Sequence, residues 1–358
     1  MQISKIKYLL LTLNNYRCQL LLLAVILSFA SCKKSFSSDQ FLDDKLVVLA
    51  EITSGDSIEI PVGKTIKAGG GSLIRFEKVN DASVVLSPAN ASSLILQPSW
   101  SPIYASNPTT VFTNRKHFKP NTAYTLEINH PTLGQVKAST RIPALPKLLL
   151  IDTATQNFQG KEVLAVTIKW HDDGNTSNLY FIEALKELVK LNRYFYYGGI
   201  RYNYDNPQAQ HLYERVKDLA SVKLIRDTVA QNKFVRLYMY TRDNNSENSR
   251  IDNISHPFRR IFIPNTSFTG QIYSTTVFVD RQFLIAAEAK QRGRIRIQLK
   301  SASKELYDYL LEYEKYKTDF GTIPSTQLVS PTGNIQNGLG IFGGSSRRER
   351  ILYLDTLR

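Results

Sequence analysis

The chain has 358 residues, with 45 Lys plus Arg against 31 Asp plus Glu, 42% hydrophobic residues and two cysteines. This is the composition of a globular protein of about two domains at ~150 residues each, both large enough to bury a core. It excludes disulfide scaffolds, collagen-like repeats and zinc fingers.

Three cations, Lys5, Lys7 and Arg17, precede an uncharged run from Leu20 to Phe29, and Ala30-Ser31-Cys32 follows. That order predicts a secretory lipoprotein signal over residues 1–31. Small side chains at Ala30 and Ser31 fit the signal peptidase, and the Cys32 thiol takes a diacylglyceryl group before cleavage makes it the N-terminus. Phe29 is a bulkier start to the box than the usual Leu. A retained spanning helix is disfavoured, because Asn14, Asn15 and Arg17 interrupt the stretch and its apolar run is about half of the ~20 residues needed. Residues 1–31 carry no negative charge, so their removal leaves a basic surplus in the folded part. Cys18 leaves with the signal and Cys32 is consumed by lipid, so no thiol remains for a disulfide, a metal or a nucleophile. Acyl chains, at about 0.8 kcal/mol per buried methylene, anchor such a protein to membrane lipid without spanning it. Residues 32–44 then read as a lipidated tether, polar from Lys33 to Asp44.

From Lys45 to Pro146 short strands alternate with turn residues. Leu46 to Ile52 and Ser57 to Pro61 are apolar runs, and Ala82, Val84 and Leu86 alternate with polar neighbours. Tyr124, Leu126 and Ile128 share one face, and after His130 to Gly134 the chain returns with Val136, Ala138 and Thr140. This pattern predicts a hairpin. The lead-in from Phe118 to Tyr124 has the form of a tyrosine corner, although a core Tyr without the corner bond fits equally well. Residues 45–146 are therefore expected to form an immunoglobulin-like antiparallel β-sandwich. Ile142-Pro143-Ala144-Leu145-Pro146 marks the boundary, since two prolines force extended backbone and withhold donors from a sheet.

Residues 147–358 predict a second β-rich domain. Leu164, Val166, Ile168 and Trp170 alternate up to a turn at His171-Asp172-Asp173-Gly174. Phe234 to Tyr240 and Arg294 to Lys300 are also strand-like, the latter with Ile295, Ile297 and Leu299 on one face and Arg294, Arg296, Gln298 and Lys300 on the other. One helix is well marked over residues 303–318: Leu306, Tyr309, Leu310, Tyr313 and Tyr316 recur at helical spacing, with Ser303 as N-cap and Glu305 in the first turn. Residues Ile182 to Tyr213 fit helix or strand. Residues 333–346 read as a glycine-rich loop.

The lipobox, the N-terminal sandwich and the end of the chain together resemble a family of secreted Bacteroidota-type lipoproteins, domain of unknown function 4249. The residues that carry the resemblance are Lys45 to Val48, Asp81 to Leu86, the Pro120 to Leu126 corner, Trp170-His171-Asp172 with Asn178-Leu179-Tyr180, Phe268-Thr269-Gly270, the Tyr-rich helix and Asn334 to Gly343. Departures are Pro264-Asn265, where the family tends to an acidic turn, and a basic Tyr-rich stretch from Leu185 to Tyr213 that reads as an insertion. The resemblance implies an envelope lipoprotein of uncharacterised activity, an accessory to TonB-dependent outer-membrane transporters. It brings no catalytic residues. Lys33 and Lys34 stand where surface-exported lipoproteins often carry acids, which favours the periplasmic face of the outer membrane over the cell surface.

Candidate chemistry is sparse. Gly338 to Gly343 spells G-x-G-x-x-G, but it lacks the preceding strand, following helix and later acidic residue of a dinucleotide site. Asp172-Asp173-Gly174-Asn175 lacks the spacing of a calcium loop and reads as a hairpin turn. The histidines at 117, 130, 171, 211 and 256 show no zinc spacing, and no G-x-S-x-G elbow is present. No cofactor, no metal and no nucleic-acid partner is expected, and the protein reads as a non-enzyme. A hydrolase with carboxylates gathered by the fold, or a structural subunit of an envelope complex, are the alternatives. Two binding candidates remain. Arg294, Arg296 and Lys300 line one strand face that could meet anionic lipid head groups, against a plain solvated face. Tyr194, Tyr196, Tyr197, Tyr202 and Tyr204 surround Gly198-Gly199 and suit a protein interface or sugar stacking, against burial in the second domain. The cargo is not readable.

Overall fold

The computed structural model describes residues 44–67, 74–100, 109–174, 178–251, 257–284, 294–319 and 332–353. The expected signal peptide, Cys32 and the tether up to residue 43 lie outside the described residues. Residues 43–358 form one compact unit.

The first half contributes β1 (Leu46–Thr53), β2 (Ser57–Lys67), β3 (Ile74–Lys78), β4 (Ser83–Pro88), β5 (Leu94–Ser99), β6 (Thr110–His117), β7 (Ala123–His130) and β8 (Gly134–Arg141). Alternation drives them into two layers, because a strand that is apolar on one side only must bury that side. One layer runs β1-β2-β6-β5 and the other β5-β4-β7-β8. β5 belongs to both: Leu94 to Leu96 pair with β4 and Gln97 to Ser99 with β6, so the strand turns the corner between layers. Leu46, Val48, Ile58, Ile60, Val84, Leu86, Phe112, Leu126 and Ile128 fill the space between. The predicted hairpin is present, with Tyr124 opposite Thr140, Leu126 opposite Ala138 and Ile128 opposite Val136. The Tyr124 hydroxyl accepts a hydrogen bond from the Lys119 backbone N–H at 2.9 Å, which decides for the tyrosine corner.

The second half adds β9 (Lys147–Phe158), β10 (Lys161–His171), β11 (Leu179–Tyr197), β12 (Ile200–Asn203), helix α1 (Pro207–Val216), β13 (Ile225–Arg236), β14 (Met239–Thr241), β15 (Ile261–Pro264), β16 (Ile272–Asp280), β17 (Arg294–Ala302), helix α2 (Lys304–Asp319) and β18 (Leu339–Tyr353). Strands β14-β16-β10-β9 form a separate four-stranded sheet. It packs on one face of β11, β15 and β17, where Leu164, Val166, Ile168 and Trp170 meet Ile182, Ile263, Ile295, Ile297 and Leu299. The opposite face, with Phe181, Phe262 and Ile341, is covered by Leu306, Tyr307, Leu310 and Leu311 of α2. Helix α2 matches its predicted span, and the Ser303 hydroxyl caps it by accepting from the Leu306 N–H at 3.4 Å. The ambiguous stretch resolves as one long strand, β11, and a helix that Asn206 and Pro207 start: the Asn206 side chain accepts from the Gln208 N–H, and proline at the first turn loses no helical bond.

The first core draws on residues up to Ile142 together with Ile335 and Phe342, the second on residues from Leu148 onward, yet one sheet of 14 strands passes through both. The seam is β18, which runs parallel to β1, with Val47 beside Leu339 and Thr53 beside Ser345, and antiparallel to β17. Residues 339–346 of the expected glycine loop are therefore strand. Glycine hid the strand pattern, because the backbones come too close here for side chains. Gly340 has φ +99°, and a Cβ there would lie 2.0 Å from the Val48 carbonyl oxygen; at Gly344 it would lie 2.6 Å from that of Arg141. The apolar residues of this segment enter the packing, Ile335 and Phe342 in the first core and Ile341 on the helix-covered face. Replacing Gly340 by Ala combines the left-handed φ with that clash, so Gly340→Ala should lower unfolding stability by about 3 kcal/mol or more, measured by urea denaturation.

Candidate functional site

The tyrosine-rich segment is a projecting arm rather than a loop. β11 continues beyond its last partner in β17, Lys186 opposite Ile295, and pairs with β13 on one edge and β12 on the other. Eleven further residues reach Tyr197, roughly 35 Å at strand rise. Gly198 and Gly199 have φ +57° and +77° and close a two-residue hairpin between Tyr197 and Ile200, a turn that only residues free at positive φ make cheaply.

The five tyrosines divide between the arm's two faces. Phe195 is fully buried, stacks on Tyr202 at 5.4 Å and meets Tyr213 of α1 at 5.1 Å. Tyr204 packs edge-on against Tyr213, and Ala209, Val216 and Val222 complete this small core. Tyr202 and Tyr204 are thus scaffold. The other face carries Tyr194, Tyr196 and Arg201, with the Arg201 guanidinium 3.9 Å from the Tyr194 ring centre and Tyr194 edge-on to Tyr196 at 5.8 Å. Tyr196 is 48% exposed, and Tyr197 and Ile200 at the tip are also exposed. A pre-ordered patch of aromatic rings with a stacked arginine has the composition of interface hot spots, because such side chains lose little rotamer freedom on contact.

The cations of the basic strand face are paired with carboxylates and only Arg294 and Arg296 stay partly exposed, which corrects the expectation of a free face for Arg294, Arg296 and Lys300. Arg294 makes a bidentate pair with Glu187. Arg296 lies over the Phe234 ring at 4.1 Å and 3.8 Å from Glu349. Lys300 is buried beneath α2, 2.8 Å from Glu51 and 2.9 Å from Glu183. Glu183, with no exposed surface, also meets Arg260 at 2.7 Å and Arg236 at 2.6 Å, and Arg260 continues to Glu314 of α2 at 3.5 Å. Three carboxylates and three cations from β1, β11, β13, β17, the β15 approach and α2 neutralise one another, with Glu183, Lys300, Arg260 and Glu314 buried and Glu51 and Arg236 at the margin. Sequence alternation picked out only Lys300 of this network and missed the rest, whose members lie singly on distant strands, a loop and α2.

Burial alone would push the Glu183 pKa up, but Lys300, Arg260 and Arg236 outweigh it and hold it far below the ordinary value of 4.5. Burial would likewise lower Lys300, and Glu183 and Glu51 instead raise it above 10.5. A depressed carboxylate contributes stability in full above pH 4.5 and loses it as pH falls toward the folded-state pKa. The urea midpoint should therefore drop progressively below about pH 4.5. Glu183→Gln strands buried cations, so it should cost about 3–5 kcal/mol at pH 7. Urea titrations of the variant should also show a shallower acid limb than the parent.

Trp170-His171-Asp172, Asn178-Leu179-Tyr180 and Phe268-Thr269-Gly270, separate in the sequence, meet at one carboxylate. Asp172 has no exposed surface and accepts hydrogen bonds from the Asn178 amide, the Tyr180 hydroxyl, the Asn265 amide and the backbone N–H groups of Gly174 and Gly270. Burial raises its pKa, and these donors more than compensate, so it is held below the usual range. The turn is not a hairpin, because β10 and β11 belong to different sheets and this carboxylate ties the crossover down. Trp170, Tyr180, Phe268 and Tyr273 cluster beside it. Asn265, where the family resemblance implied an acidic turn, is one of the donors. A second acid this close to Asp172 would repel it. Among the described residues no group of three or more His, Cys, Asp or Glu could hold a metal ion, and no helix is long and apolar enough to cross a membrane.

These features describe a mainly β protein whose packed strand layers are joined by a shared sheet and which carries a tyrosine-rich arm with exposed aromatic side chains. The chain belongs to the family described as domain of unknown function (DUF4249), whose sequence profile matches residues 35–351. No curated protein matches it at a significant level. A solved structure described as the complete structure of manganese lipoxygenase of Gaeumannomyces graminis and partial structure of zonadhesin of Komagataella pastoris aligns over 72% of this chain and 88% of its own. Identity is 9% and the TM-score 0.16, too low to bear on fold or function.

Proposed function

We propose that the protein is an acylated lipoprotein of the cell envelope that works by binding, as an accessory at the outer membrane beside a TonB-dependent transporter. The observation that carries this reading is Cys32, placed directly after the apolar run and the small pair Ala30-Ser31. Anchoring fixes the protein's neighbours. Recognition falls to the open face and tip of the arm, with Tyr194 and Tyr196 on the face and Tyr197 at the tip as contact residues, and Tyr202 and Tyr204 as their support. Lys33 and Lys34 after the acylated cysteine favour the periplasmic face.

Two experiments test this. Cys32→Ser should abolish membrane association in fractionated cells; a variant that stays bound as tightly as the parent overturns the anchor. In crosslinked membranes the parent should recover a transporter, and Tyr196→Ala with Tyr197→Ala should reduce recovery at least tenfold, since truncating central aromatics costs about 2 kcal/mol or more apiece. Recovery of other envelope subunits alone would point instead to a structural role.

A further inference from the structure

Two large exposed aromatics sit at the end of the first sandwich where the chain emerges from the tether. Strand register places them. β1 begins at Leu46, opposite Lys64 of β2, and the same end of β2 pairs with β3, Thr65 opposite Phe76. On the adjoining strand Val62 lies opposite Thr110, and Ser99 lies opposite Val111, so Trp100 falls one residue further on, level with Thr110. Trp100 is 75% exposed and Phe76 49%. Single exposed apolar residues need no explanation. These two differ in sharing an end with the entry point of the chain.

Chain length then limits what that end can face. Asp44 follows Cys32 by twelve residues, which span at most about 40 Å fully extended and about 20 Å as a flexible coil. The opposite direction is occupied by the arm. β18 runs parallel to β1, β17 returns, and β11 runs out again from Leu179, opposite Ala302, so the Tyr197 tip lies at the far end of the sheet. The entry end carries charges of both signs, with Lys45 just before β1 and Lys67, Arg75 and Lys78 on its strands beside the paired residues. Lys64 pairs with Glu77 at 3.6 Å, His130 with Asp81 at 3.0 Å, and Asp44 stands beside Lys45. Tryptophan and its aromatic neighbours partition to the water–lipid interface, where the ring is half desolvated and its N–H stays wet.

We propose that this end of the sandwich, through Trp100 and Phe76, rests in the headgroup layer of the bilayer that holds the acylated Cys32, leaving the arm to meet the part of a partner that projects beyond the headgroups. The inference depends on the lipoprotein reading. Contact comes from the aromatic rings, so it does not require anionic lipid.

The chain supplies its own probe, since Trp170, the second of its two tryptophans, has no exposed surface. Full-length acylated protein is reconstituted into phosphatidylcholine vesicles with brominated acyl chains. Trp100 emission should shift to shorter wavelength and lose intensity relative to unbrominated vesicles, and the quenching should vanish in a Trp100→Phe variant that still floats with the vesicles. Adding anionic lipid should change neither result. Protein that floats with the vesicles while its Trp100 emission is neither shifted nor quenched overturns the contact. A shift seen in native outer membranes but absent from protein-free vesicles overturns it as well, and places a protein at that end. Failure to float, with Cys32 unacylated by mass spectrometry, is a different result: it removes the anchor itself and the contact with it.

Discussion

The parallel pairing of β1 with β18 is the constraint on which the remaining architecture depends. Neither strand layer of the first half nor the helix-backed sheet of the second is closed without it. β18 supplies Phe342 to one core and Ile341 to the other face, while its glycines let the Val48 and Arg141 carbonyls approach. Thr53 and Ser345 then meet through their hydroxyls at 2.9 Å, and Ser345 also donates to Glu51, which leads into the buried ion network. That network fixes the angle between sheet and α2 by electrostatics where the core fixes it by packing. The two are complementary: a hydrophobic face tolerates small slides, whereas Glu183 held between Lys300, Arg260 and Arg236 does not.

Much of this fold could be read in advance, for a physical reason. Half-buried strands announce themselves by period-two alternation, so the Tyr124 to Thr140 hairpin, the Leu164 to Trp170 strand and the Ile295 to Leu299 strand were legible, as was α2 with its Ser303 cap. The predicted strand from Phe234 to Tyr240 breaks in two at Leu237-Tyr238. The misread regions share a different trait. In β18 the informative side chains are missing because glycine is required, and alternation vanishes with them. In β11 both faces are buried for much of its length, so Phe181, Ile182, Glu183 and Ala184 show no contrast.

Candidate sites were less legible than strands, because function depends on partners in space. Arg294, Arg296 and Lys300 form a regular basic stripe when only their own strand is considered, and Glu187, Glu349, Glu51 and Glu183 that answer them come from three other strands. Tyr194 to Tyr204 were visible as a cluster, but their division into support and display requires the hairpin register. Asp172 was visible as a turn residue, and its role as the common acceptor for three short motifs was not. A notable signal was nevertheless present in the Asn206-Pro207 pair, which starts the helix that gives the arm its rigid back.

The seam strand also bears on the order of events during biogenesis. Thr53 and Ser345 are 292 residues apart, and contacts of such separation are won late, after a large loop-closure entropy has been met. Until residues near 345 have been made and delivered, β1 lacks a neighbour on one side and the glycine-lined slot beside it stays empty. A nascent chain with this topology cannot close its shared sheet until its last strand is available, so its folding is completed after synthesis rather than alongside it.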